Sequence, residues 1–263
     1  MTIKEVIEIL NEKFPENLAI MGDYTGFQIG NMENKLSGIV ISLDLTFGAI
    51  ETAIHTGNNL IITHHPMFYS ANLNSIDLNS ILGKKIELLI KNDITVYSMH
   101  TNVDAARDGL NDYLIDGLFD DYIFEVLKPI NLLKASIEES GIGRIVYLKE
   151  PISREDLIKR IKERLETNYV RFIGRKDSYK KIAFCSGSGS SLISDAKDCD
   201  VYITGDITYH TALQAYEEGL DIIDIEHDTT EKYFVSVIGD YLREMEILAK
   251  ISYYREPPLY KLC

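Results

Sequence analysis

The chain has 263 residues, 45% of them hydrophobic and 26% charged, and its 27 Lys and Arg against 41 Asp and Glu leave a formal net charge of −14. Such a composition belongs to a globular protein able to bury one large core or two smaller ones. The acidic balance argues against a broad nucleic-acid or anionic-membrane surface, and no uncharged apolar run approaches the roughly 20 residues of a membrane helix.

The opening stretch MTIKEVIEILNEKF sets apolar residues among charges at helical spacing, unlike the continuous apolar core of a signal peptide. Strands are expected at 38–44 (GIVISLD), 59–64 (NLIITH) and 94–100 (ITVYSMH), with helices at 45–56, 78–92 and 109–118. His55, followed by Thr56 and Gly57, closes the first of these helices. Residues 143–174 read as a small βαβ insert: GRIVYLKE, then a helix opened by Ser153 with Asp156 three residues on, then NYVRFIG. The rhythm resumes with strands at 181–186 (KIAFCS), 201–205 (VYITG) and 220–226 (LDIIDIE), and helices at 191–198, 209–218 and 229–242. Strands this uniformly apolar are covered on both faces, and their alternation with helices is the pattern of parallel βα units. The expected fold is therefore α/β, with a first half over 1–130 and a second over 131–263 that contains the insert. The cysteines, Cys185, Cys199 and Cys263, form no CxxC pair, and a reduced, cytoplasmic protein is expected.

Five of the six histidines stand where an expected strand runs out: His64, His65, His100, His210 and His227. Carboxylates keep four-residue spacing to three of them: Asp104 after His100, Asp206 before His210 and Glu231 after His227. Imidazole nitrogen and carboxylate oxygen, without thiolate, suit zinc, iron or manganese. Ligands in open α/β sheets collect beyond the carboxyl ends of the strands, which is where these residues fall. The pattern reads as a metal site for two ions.

Each segment also has a plainer reading. In THHP (63–66) the chain turns before proline, so both imidazoles can face one cavity, or they can be loop histidines bonded to backbone. In MHTNVD (99–104), Asp104 is an oxygen ligand or the cap of a helix that follows, and His100 a ligand-orienting group. In EHDTTEKYF (226–234), His227 and Glu231 share a helical face, while Asp228 or Thr229 can cap that helix. In TGDITYH (204–210), Asp206, Thr208 and His210 face a substrate or open a capped helix. The Gly/Ser stretch CSGSGSS (185–191) can offer amides to an anion such as phosphate, although it has no P-loop lysine. Lys159, Arg160, Lys162, Arg164, Arg171, Arg175 and Lys176 make the insert the most basic stretch, either a solvated face or a nucleic-acid contact.

Taken in order, YTGFQIG (24–30), THHP, HTNVD, CSGSGSS, TGDITYH and HDTTEK resemble the NIF-three-like family, whose members are also known as GTP cyclohydrolase I type 2 homologues or dinuclear metal centre proteins. The similarity spans about residues 22–232 and is to the short members, which lack an extra middle domain. One departure is that Gly26, Phe27 and Gln28 follow Thr25, where many members read Asn-Gly-Leu-Gln. The resemblance implies two similar α/β halves facing each other across a cleft that holds two divalent metal ions. It implies His64, His65, Asp104, His227 and Glu231 as ligands, with His100, Asp206 and His210 as outer or substrate-facing groups. It also implies a toroidal homohexamer, a trimer of dimers.

Two functions compete. In the leading one the protein is a metal-dependent hydrolase, in which a metal-bound hydroxide attacks a nucleotide-like or phosphorylated small molecule and His100, His210 and Asp206 assist. In the alternative it is a non-catalytic, metal-stabilised ring that binds a protein or nucleic-acid partner. Metal storage or delivery is a third possibility. No membrane association is expected.

Overall fold

The computed structural model describes residues 1–68, 74–132 and 140–257, and Cys263 lies outside them. In chain order the elements are α1 (Ile3–Lys13), β1 (Gly26–Ile29), β2 (Ile39–Ser42), α2 (Phe47–Thr56), β3 (Leu60–Thr63), α3 (Ile81–Lys91), β4 (Thr95–Ser98), α4 (Thr101–Ala105) and α5 (Leu110–Leu118). Next come β5 (Phe124–Lys128), β6 (Asn131–Leu132), β7 (Gly141–Ile142), β8 (Arg144–Ser153), α6 (Arg154–Arg164), β9 (Arg171–Ile173) and β10 (Ser178–Ser188). The chain closes with α7 (Ile193–Ala196), β11 (Val201–Gly205), α8 (Tyr209–Glu218), β12 (Asp221–Asp224), α9 (His227–Glu231), α10 (Phe234–Glu244) and β13 (Ile251–Tyr253). These elements form two compact units, one of Met1–Val103 with the segment from Phe234, the other of Asp104–Tyr233.

The first unit is built on a five-stranded sheet ordered β1-β4-β3-β2-β13. Strands β13, β2, β3 and β4 are parallel neighbours, and β1 runs antiparallel to β4 at the edge. Every residue of β2, β3 and β4 is buried, as double coverage by helices requires. On one face Val40, Ile61 and Val96 pack with Ile50, Ala53 and Leu89. Each of the Val, Ile and Leu side chains withdrawn from water contributes about 1.5–3 kcal/mol before entropy is charged against it. The amphipathic α10 packs on β2, with Phe234, Ile238 and Leu242 fully buried. Helix α1 starts where Thr2 and Glu5 cap each other: Glu5 N donates to Thr2 Oγ1 at 3.3 Å and Thr2 N to Glu5 Oε2 at 2.7 Å.

The second unit has a six-stranded sheet ordered β5-β8-β10-β11-β12-β9. Here β10, β11 and β12 are parallel, while β8 and β9 run antiparallel to their neighbours. The expected βαβ insert is not a separate piece: β8 and β9 take places four strands apart in this sheet's order, because each finds a parallel-core strand with an open edge. Arg144, almost fully buried, ties the unit's start together. Its guanidinium donates to Asp112 at 2.6 and 2.9 Å and to the carbonyls of Ala106, Gly141 and Gly143. Asp221 accepts from Arg175 N, Lys176 N and the Tyr179 hydroxyl, which fixes the turn from β9 into β10.

Unit boundaries therefore fall at 103/104 and 233/234, where the sequence put one division at 130/131. The reason is long-range pairing: β13 lies parallel to β2 in the register Ile251 with Ile39, which returns the C-terminal segment to the first unit. The helix expected over 229–242 is two helices, α9 and α10. Cys185 and Cys199 are buried thiols with no disulfide, and burial pushes both pKa values up. Among the described residues, no helix is long and apolar enough to cross a membrane.

Candidate metal centre

In each unit, chemistry-bearing side chains follow the carboxyl ends of parallel strands. In the first unit β3 ends at Thr63, and the backbone of the next two residues is pinned to the end of β2. His64 N donates to Leu43 O at 3.1 Å, and His65 N to the same carbonyl at 3.0 Å. The Thr63 hydroxyl lies 2.8 Å from Ser98 Oγ and donates to His65 O at 2.8 Å, tying the ends of β3 and β4 together. His100 follows β4, and its backbone N donates to Thr25 Oγ1 at 3.2 Å.

These three imidazoles form one cluster. Ring centroids are 5.1 Å apart for His64–His65 and His64–His100, and 5.6 Å for His65–His100. One potential ligating atom from each lies within 4.8 Å of the other two. His64 is fully buried, and its ring packs against Phe234 at 5.0 Å.

Each ring is oriented through the same nitrogen. Nδ1 of His64 meets Met99 O at 2.9 Å, Nδ1 of His65 meets Asp44 Oδ1 at 2.9 Å, and Nδ1 of His100 meets Asp23 Oδ1 at 2.8 Å. Carbonyl and carboxylate oxygens accept only, so Nδ1 carries the hydrogen and Nε2 holds the ligating lone pair. Asp23 is itself held by Tyr24 N at 2.7 Å, Thr101 N at 3.2 Å and the hydroxyls of Thr101 and Thr25. Burial opposes its charge, but hydrogen bonds from His100 and Thr101 outweigh burial and hold the carboxyl well below the usual range.

In the second unit the counterpart is local. His227 and Glu231 lie four apart in α9, and His227 Nε2 is 2.7 Å from Glu231 Oε2. Nδ1 of His227 faces Asp206 Oδ2 at 2.7 Å. Burial disfavours the imidazolium, but the Glu231 and Asp206 carboxylates more than compensate and push His227 up to about 9. Asp206 adopts φ +58°, a left-handed conformation uncommon outside glycine, where the chain leaves β11. Arg171 clamps the same loop by donating to Ile207 O at 2.9 Å while paired with the buried Asp224.

A glycine makes room for Glu231. Gly187 has φ +60°, and a Cβ there would sit 1.9 Å from Glu231 Oε1 and 3.3 Å from His227 Nε2. Its N–H donates to Thr230 Oγ1 at 2.8 Å, fixing α9 to the end of β10. Asp104 is nearly buried within α4, and its Oδ1 accepts from Ser186 Oγ at 3.3 Å. It is not the cap of α5, whose N-cap position is Gly109 and which has no side-chain cap. Neither Asp228 nor Thr229 is the cap of α9, whose N-cap position is Glu226.

A family model for Duf34/NIF3 (NGG1p interacting factor 3) matches residues 1–256. The chain belongs to the NIF3 family. It is 36% identical over 248 residues to a GTP cyclohydrolase 1 type 2 homolog of Clostridium perfringens, covering 93% of this chain and 92% of that one. A relative of the same name from Methanocaldococcus jannaschii is 32% identical over 257 residues, covering 95% and 99%. Among solved structures, a Bacillus cereus protein related to NIF3 superposes with a TM-score of 0.86 at 25% identity, covering 100% of this chain and 99% of that one. Reduced HcgD from Methanocaldococcus jannaschii gives a TM-score of 0.80 at 30% identity, covering 96% and 97%.

This NIF3-family chain thus carries histidine and glutamate groups that can hold a metal ion. Their nitrogen and oxygen donors fit a borderline or hard divalent cation, and the space kept by Gly187 fits a carboxylate ligand beside an imidazole. His210 belongs to neither donor group: it is exposed on the first turn of α8, its ring against Tyr209 at 5.4 Å. Thr208 caps that helix by accepting from Thr211 N at 3.3 Å. The Gly/Ser loop does not present its glycine amides to an anion, because Gly187 N and Gly189 N are committed to Thr230 and Thr204. Sequence reasoning missed Asp23, Asp44 and Gly187. The signal available for Asp44 was its place as the last residue of the strand-like run GIVISLD.

Proposed function

We propose that this NIF3-family protein is a hydrolase that depends on two divalent metal ions, of iron, zinc or manganese, and acts on a nucleotide-like or phosphorylated small molecule. The proposed ligands are His64 and His65 of the first unit and Asp104, His227 and Glu231 of the second. The observation that carries the reading is the common orientation of the histidines, each held at Nδ1 by an oxygen acceptor. Metal-binding histidines are held this way by the groups around them.

A bound divalent cation would supply Lewis acidity, polarising a substrate oxygen and making water a better nucleophile at neutral pH. The chain's own residues do the rest. Asp44 and Asp206 hold the rings of His65 and His227, and Gly187 keeps the Glu231 carboxylate in place. His210, exposed on the first turn of α8, is the residue proposed to carry a proton to or from substrate. The cyclohydrolase names of the relatives favour a nucleotide-like substrate.

In the regulatory reading the chain is a non-catalytic, metal-stabilised ring that binds a protein or nucleic-acid partner, and its nucleic-acid branch is less well supported. Arg160 and Arg164 pair with Asp120 and Asp121, Arg171 with Asp224, and Lys176 with Asp200. The homohexameric ring belongs to the proposal and is checked by light scattering of the purified protein. The deciding experiment is elemental analysis of protein purified without added metal, then a turnover screen of nucleotides and phosphoesters with that metal restored. Glu231→Gln is expected to abolish metal-dependent turnover while the protein stays folded; undiminished turnover in that variant sinks the mechanism.

A further inference from the structure

We infer that the Arg171 guanidinium binds a phosphoryl group of the substrate, which makes that substrate a phosphate-bearing small molecule. The inference rests on the hydrolase reading above and narrows it, and Arg171 has no part in holding metal.

Arg171 opens the edge strand β9 and stands directly opposite Asp224, the last residue of β12. It therefore lies at the carboxyl end of a parallel strand, where ligands of α/β sheets collect. One nitrogen does the anchoring. Nη2 donates to Ile207 O at 2.9 Å and pairs with the Asp224 carboxylate, whose side chain is only 2% exposed. Among the described residues Nε and Nη1 have no hydrogen-bond partner, and the Arg171 side chain stays 52% exposed. Arg144, in the same unit, shows what a structural arginine looks like. It is almost fully buried, and its Nε, Nη1 and Nη2 all donate to Asp112 or to backbone carbonyls. Tyr169 steadies the Arg171 plane, its ring centroid 5.8 Å from Cζ. A guanidinium held at one nitrogen and backed by a ring has given up its freedom before a ligand arrives, so its remaining N–H groups bind at low entropic cost. A phosphoryl group, with three acceptor oxygens and up to two charges, gains more from them than a carboxylate does. The anchoring carbonyl belongs to the turn that leads into α8 and His210, the proposed proton carrier.

A plainer account makes Arg171 a strut that fastens β9 to the end of β12 and to the loop after β11. The two accounts differ in what inorganic phosphate sees. Phosphate is titrated by calorimetry, at low salt, into the full chain stripped of metal, so that anions held by a cation are not counted. Arg171→Gln should weaken phosphate binding by about 10–100-fold, the loss expected for charge-assisted hydrogen bonds. Arg171→Lys keeps the charge without the planar guanidinium and should weaken it by less. Both variants should stay folded by circular dichroism, because the side chain is half exposed. Asp224→Asn, which removes a negative charge and leaves Arg171, should keep phosphate affinity or raise it. Acetate, the carboxylate control, should bind about tenfold more weakly than phosphate. A crystal soaked in phosphate should place an anion oxygen within hydrogen-bond reach of Nε or Nη1. A strut would lower thermal stability in Arg171→Gln and leave phosphate affinity unmoved.

No phosphate binding by the unsubstituted chain, or undiminished binding by folded Arg171→Gln, overturns this assignment and leaves the proposed function standing. So does acetate binding as tight as phosphate. With a phosphorylated substrate from the turnover screen, Arg171→Gln should raise KM and spare kcat, and an unchanged KM overturns the assignment as well. Phosphate held through Arg171 by a chain that turns over no probe, metal restored, sinks the hydrolase reading instead.

Discussion

The donor groups of the two units are assembled by opposite means. In the second unit His227 and Glu231 are neighbours on one turn of α9, four residues apart, so the pair forms as soon as that turn does. In the first unit His64 and His65 follow β3 and His100 follows β4, and they meet only because those strands pair in parallel, Thr63 beside Ser98. The local pair needs a special bed, Gly187, because it lies against backbone. The distributed cluster needs braces instead: Met99 O, Asp44 and Asp23, each on a different segment. A donor pair encoded in one helical turn is sensitive to the surface beneath it. One gathered from several strands is sensitive to the core.

That contrast can be broken experimentally. The largest effect is expected from His64→Ala, which removes a fully buried ring packed on Phe234 and abandons Met99 O. It should cost about 2–5 kcal/mol of stability in denaturant unfolding even without metal. Gly187→Ala should cost about 1–3 kcal/mol, since the new Cβ must displace Glu231 at an unfavourable φ. Crystallography of that variant should find the Glu231 carboxylate turned away from His227. Thr63→Val, which cuts the bonds to His65 O and Ser98, should cost about 1–2 kcal/mol by thermal unfolding. Asp44→Asn and Asp206→Asn, at half-exposed carboxylates, should leave stability nearly unchanged but weaken metal binding by about tenfold in calorimetric titration. If Asp44→Asn proved as destabilising as His64→Ala, the description of it as a brace would fail. Least disruptive is His210→Ala, expected to shift stability by less than about 0.5 kcal/mol and to leave metal content intact while slowing turnover.

The same contrast governs what could be read from the sequence. Short apolar runs ending in polar residues located β2, β3, β4 and β11, because strands buried on both faces cannot disguise themselves. Helix α8 over Tyr209–Glu218 and its Thr208 cap were legible from local spacing alone. By contrast β1, with one buried residue in four and a bulge against β4, has no periodicity to detect. The three-residue β13 is a strand only by virtue of β2. Side chains followed the same division. His227 and Glu231 announce themselves by spacing, and the other histidines by rarity, six in the chain. Asp23 and Asp44 are two among 41 acidic residues, and only tertiary pairing with His100 and His65 marks them out. The Gly/Ser loop misled because its composition matches an anion cradle, whereas its glycine N–H groups are consumed by two threonines.

The parallel pairing of β13 with β2 has an effect on the order of events at the ribosome. The second unit is one continuous stretch, Asp104–Tyr233, and can close while synthesis is still under way. The first begins earlier but must wait for Ile251–Tyr253 to complete its sheet, so the portion made first matures last. Nascent chains stalled just after Tyr233 has emerged should therefore resist protease between Asp104 and Tyr233 and be cut readily before it.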